Sequence, residues 1–172
     1  MNRGLSILAA IGLALPAQAA PLDPALADVG FLVGQWSSAD GKVADTGGSS
    51  KGTSSITVEA NGHVLLRRDH TDLFDRDGKP AGGFEQIMMI YPEGGALHAD
   101  YSDGRHVIHY DSAAVVAGRS VAFTSVHRDG APTFRLSYEL IQPETLTITF
   151  AMAPPGQSQF QPVASGTAHK SP

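Results

Sequence analysis

In the C-terminal third of the chain, apolar and polar residues change places at every step. Phe134, Leu136, Tyr138 and Leu140 alternate with Thr133, Arg135, Ser137 and Glu139, and Leu146, Ile148, Phe150 and Met152 alternate with Thr145, Thr147 and Thr149. A period of two marks strands with one face turned to a core. Similar but less regular patterns predict further strands over 31–37, 54–59, 64–74, 84–91, 96–101, 106–111, 113–116, 120–127 and 160–168. One short helix precedes them: Asp23 is placed to cap it, Pro24 suits its first position, and Gly30 is expected to stop it.

The breaks between strands carry tight-turn chemistry. Asn61-Gly62, Asp77-Gly78, Gly94-Gly95, Asp103-Gly104 and Asp129-Gly130 all tolerate positive φ, so consecutive strands are expected to pair antiparallel. About eight to ten such strands, with no helix long enough to cover a sheet, predict an all-β fold, an antiparallel up-and-down barrel that closes on itself and so removes its edges. A two-sheet sandwich is the alternative. The Gly-, Ser- and Thr-rich stretch 40–52 reads as a loop.

If Asp103-Gly104 is a two-residue turn, Tyr101 faces His106, Ala99 faces Ile108, His98 faces His109 and Leu97 faces Tyr110. The largely apolar set then looks into the barrel and carries Tyr101, His106 and Tyr110 with it. In the neighbouring strands, Val64, Leu66, Arg68 and His70 share one face, as do Phe84, Gln86, Met88 and Ile90. With both faces inward, the interior is mostly apolar with a few polar groups, the usual character of a small-molecule site.

The N-terminus has its own pattern. Arg3 precedes an apolar run over 5–15, and Ala17-Gln18-Ala19 supplies small residues suited to signal-peptidase cleavage after Ala19. The run is shorter than the roughly twenty residues that span a bilayer. Residues 1–19 are thus expected to be a signal peptide, 20–172 a single exported domain, and the destination periplasmic or secreted.

Composition narrows the chemistry. Twelve Lys and Arg against seventeen Asp and Glu give a net charge of -5, which leaves no basic footprint for nucleic acid. The absence of cysteine excludes a catalytic thiol, a thiolate metal site and disulfides. No Gly-x-Ser-x-Gly elbow occurs, the stretch 47–52 is no phosphate loop, and Asp75-Arg76-Asp77-Gly78 lacks the Glu that would complete a calcium loop. His98, Asp100 and His109 form a facial-triad ligand set on the expected outer face, with a solvated His pair as the plainer reading. His106 and His109 are three apart, which on a strand sends them to opposite faces. No metal site is assigned.

Phe31-Leu32-Val33-Gly34-Gln35-Trp36 resembles the Gly-x-Trp first strand, preceded by a short helix, of lipocalin-like calycin barrels, especially the nitrobindin-like and related bacterial families. The segments 138–140 and 146–153 resemble their closing strands. The resemblance implies a structural role for Trp36 at the closed barrel end. It also implies haem as a candidate cofactor, held by a His after the Met-containing segment. Residues 157–163 contain no His and His169 comes only later, near the chain end, so His106 or His70 from the expected interior would have to serve.

The leading expectation is a binding barrel for a small apolar or amphipathic molecule. Arg68, His70, Met88, Tyr101, His106, Tyr110, Phe134, Tyr138 and Phe150 are its candidate ligand-binding residues, with Arg68 and His70 placed to meet an anionic headgroup. Two other readings stand beside it: an enzyme using His106 with Tyr101 or Tyr110 as acid and base, and a structural domain with a filled core.

Overall fold

The computed structural model describes residues 21–171, so the expected signal peptide lies outside the described residues. Ten antiparallel strands follow one another around a closed barrel: β1 (Gly34–Val43), β2 (Gly48–Glu59), β3 (Val64–Phe74), β4 (Pro80–Glu93), β5 (Ala96–Ser102), β6 (Val107–Val116), β7 (Ser120–Ser125), β8 (Thr133–Gln142), β9 (Thr145–Ala153) and β10 (Gln161–Lys170). Each pairs with its sequence neighbours, and β1 pairs with β10 to close the ring. The expected up-and-down barrel is the observed fold, and the sandwich is not.

Turn chemistry sets the joints. Gly94 and Gly95 both take positive φ, 60° and 84°, which permits a two-residue connection between Glu93 and Ala96. The β5–β6 joint departs from expectation. Asp103 Oδ1 accepts the backbone N–H groups of Arg105 (2.9 Å) and His106 (2.7 Å), so the carboxylate organises a four-residue turn. Ser102 therefore pairs with Val107, Tyr101 with Ile108 and Ala99 with Tyr110. The register moves by two residues, which keeps the inward set inward but leaves His106 in the turn.

The stretch 40–52 is also corrected. β1 continues to Val43 and β2 begins at Gly48, with a register shift between Ser38 and Gly41. Asp40 supports that irregularity by accepting the Thr167 N–H at 2.8 Å. Side chains this small suggest a loop by composition, yet they fit paired strands where two backbones come close.

Antiparallel order sends alternate joints to opposite ends. A 3₁₀ helix, Pro24–Leu32, closes the end that carries the β2–β3 and β6–β7 joints. Its start is as expected: Asp23 accepts the Ala25 N–H at 2.8 Å, and Pro24 follows. Its end is not, since the helix passes Gly30 and takes in Phe31 and Leu32. Asp23 N donates to Gly62 O (3.0 Å) and Gly118 N to Asp28 O (2.8 Å), tying the helix to both joints. Leu26, Val29 and Leu32 are buried in one core with Trp36, Ile56, Leu65, Ile90, Val121, Phe123 and Leu146. Trp36 Nε1 donates to Leu32 O at 2.8 Å, and Lys170 Nζ lies 5.4 Å from its ring centre. Trp36 thus joins the first strand to the plug.

Candidate functional site

The opposite half of the barrel is not filled. A cavity of about 410 Å³ reaches from Val43, Leu73, Asp103 and Val163 near the strand ends down to Trp36, Tyr110 and Leu136. Bulky apolar side chains, Phe84, Ile148 and Phe150 among them, form part of its wall. Small residues, Gly41, Ser50, Gly52, Ser54, Ser165 and Gly166, form another part. Where side chains are this short, the ring of strands encloses space instead of packing it.

A polar cluster built around Arg67 borders this space. Arg67 and Asp69 project inward from β3 and are each 7% exposed. Arg67 Nε donates to Asp69 Oδ2 at 2.7 Å, Nη2 donates to the same oxygen, and Nη2 also reaches Gln86 Oε1 at 3.3 Å. Nη1 donates to the Tyr138 hydroxyl and approaches Met88 Sδ at 3.8 Å. Gln86 in turn donates from Nε2 to Thr71 Oγ1 at 3.1 Å. Asp69 Oδ1 is buried with no hydrogen-bond partner among the described residues. Nearly all buried polar groups are paired, so an orphan acceptor beside a cavity marks a place for a ligand or a water.

The surrounding phenols are held neutral. Burial pushes Tyr138 up to about 12 against the pull of Arg67. Burial likewise raises Tyr101 to about 12, with the Asp103 charge adding to it. Tyr110 is raised too, chiefly by burial. Burial opposes the Arg67 charge, but the Tyr138 and Asp69 oxygens together outweigh it, so the guanidinium keeps its proton. The site therefore offers neutral O–H groups around a fixed ion pair.

The sequence-predicted residues divide. Tyr101, Tyr110 and Phe150 line the cavity. Met88 and Tyr138 are buried against Arg67. Phe134 stacks on Phe150, ring centres 5.6 Å apart, and borders a smaller cavity of about 130 Å³. Three placements are corrected. Arg68 and His70 belong to the outward parity of β3: Arg68 is exposed, and His70, although at the cavity's edge, hydrogen bonds outside to Glu85 (2.6 Å) and Asp72 (3.2 Å). Arg67 and Asp69, which sequence reasoning missed, take the interior instead. His106, with a side chain 73% exposed, pairs with Asp103 at 3.0 Å in the turn and meets neither Tyr101 nor Tyr110 as an acid–base partner.

The haem expectation fails on the donor set. All seven histidines lie on the surface or the outward strand faces: His98 stacks on Tyr91, His109 pairs with Asp100 at 2.7 Å, and His169 is exposed. Only His70 reaches the cavity's edge, and both of its ring nitrogens are engaged by Glu85 and Asp72, so the His-ligated haem implied by the family resemblance does not fit these residues. His98, Asp100 and His109 do not converge, and no cluster of three metal-ligating side chains occurs among the described residues. No helix among the described residues is long and apolar enough to cross a membrane.

No protein-family model matches the chain, and no curated protein matches it. The nitrobindin-like resemblance is thus one of strand motifs without a family model behind it. Nine solved chains match. Among them is a structure of EF1p2_mFAP2b bound to DFHBI, 11% identical over 84% of this chain and 98% of that one, with a TM-score of 0.44. A likeness at that score carries nothing to the site.

Proposed function

We propose that the chain is an exported barrel that binds one small amphipathic molecule. One observation carries the reading: a cavity of about 410 Å³ with apolar walls and a buried, incompletely satisfied polar cluster at its border. Concave, mainly apolar sites with a few fixed polar groups are what small ligands use. An amphipathic molecule suits it better than a wholly apolar one, because a purely apolar ligand would leave Asp69 Oδ1 unpaired. Tyr101, Tyr110, Phe150 and the missed pair Arg67 and Asp69 are the proposed binding residues. Export rests on Arg3, the apolar run 5–15 and Ala17-Gln18-Ala19; N-terminal sequencing of the protein from its own host is expected to begin at Ala20.

Native mass spectrometry of that material tests the binding. The native mass is expected to exceed the denatured mass by one small molecule. Ser54→Phe, which places a ring in the cavity opposite Asp69, is expected to remove the added mass while the barrel still folds. Equal native and denatured masses, together with no saturable binding of octanol, contradict the proposal.

A further inference from the structure

Arg67 is the natural suspect for an anion, yet its hydrogen-bonding capacity is spent. A guanidinium has five N–H donors. Nε meets Asp69, Nη2 meets Asp69 and Gln86, and Nη1 meets Tyr138 and Met88 Sδ. Asp69 also cancels its charge at contact distance. An anionic headgroup entering here would lose its hydration and face a carboxylate as near as the guanidinium. The unfilled valence has the opposite sense: Asp69 Oδ1 accepts and has no donor. Tyr101 and Tyr110 line the same cavity as Asp69.

Building on the binding reading above, we infer that the cavity selects a neutral, hydroxyl-bearing amphiphile over a carboxylate of the same chain length. A hydroxyl gives its proton to Asp69 Oδ1 and accepts one from a phenol, so a single group completes both sides. Its alkyl or aryl body lies along Phe84, Leu136, Ile148 and Phe150. An ammonium group would also donate to Asp69, but it would bring an unbalanced positive charge against Arg67.

Isothermal titration of the signal-free chain with octanol, octanoate and octylammonium at neutral pH tests this. Octanol is expected to bind at least about tenfold more tightly than either ion. Gln86→Leu returns one N–H to Arg67, so it is expected to raise octanoate affinity relative to octanol. Asp69→Asn removes the opposing charge and is expected to do so more strongly. Octanoate or octylammonium binding as tightly as octanol to the unmodified chain overturns the inference while leaving the binding reading intact. If none of the three binds, both fall. Should Asp69→Asn fail to fold, the unmodified chain and Gln86→Leu still decide the matter, and unchanged ratios in a folded Gln86→Leu protein count against it.

Discussion

The two ends of this barrel solve the same closure problem differently. At the plugged end, Leu26, Val29 and Leu32 fill the ring, Trp36 locks the plug to β1, and the packing is apolar throughout. At the other end, glycines and serines leave the space between the strands unfilled, and the interior carries a buried ion pair among its apolar side chains. The first arrangement gains stability from burial. The second gives some up, since a buried ion pair adds little over apolar residues of similar volume. Under the proposed binding reading, stability resides where the barrel is full, and recognition where it is not.

The sharpest way to break that contrast is Arg67→Ala. It leaves Asp69 as an uncompensated buried group and is expected to cost about 3–5 kcal/mol in urea unfolding, whereas a joint replacement of Arg67 and Asp69 by Met and Leu is expected to cost little or to stabilise. A large loss in the double variant would mean the pair holds the fold together. Leu32→Ala at the plugged end comes next, at about 2–5 kcal/mol, with octanol affinity of the folded fraction unchanged. Altered affinity there would show the two ends to be coupled. Ser54→Phe is expected to cost less than the roughly 1–3 kcal/mol of overpacking a filled core, and to abolish binding.

The smallest expected effect is outside the barrel. Glu85 and then Asp72, hydrogen bonding to the imidazole, raise the His70 value above 6.5. The stability from this pairing is complete below 6.5 and is lost as pH rises through the raised value. Thermal midpoints at low salt are expected to show that decline, and Glu85→Gln to flatten it. An unchanged slope would leave His70 without this role. The groups are exposed, so salt should weaken the effect.

The plugged end was the more readable one. Asp23 followed by Pro24 announces a helix start, Gly-x-Trp announces the first strand, and β3 has the bounds expected of it. The cavity end was obscured by ambiguity of parity. Leu65 and Leu66, then Arg67 and Arg68, are doubled, so either face of β3 reads as apolar followed by basic, and one step decides which arginine is inside. A usable signal existed in the next joint: counting back from Asp77-Gly78 as a two-residue turn sets Arg67 opposite Met88, the pairing observed. His106 was misplaced for a different reason, because the Asp103 side chain, rather than backbone turn preference alone, sets the length of the β5–β6 turn. The 40–52 stretch misled by composition: the small residues that suggest a loop are among those that leave the cavity open.

Trp36 is the chain's one tryptophan and stands between plug and cavity, so its emission reports on the unfilled half directly. Titrating octanol into residues 20–172 is predicted to give a saturable, one-to-one change in Trp36 emission that Ser54→Phe abolishes and Leu32→Ala, where folded, retains. A response that never saturates, or one that persists in Ser54→Phe, would contradict a barrel filled at one end and built to hold a ligand at the other.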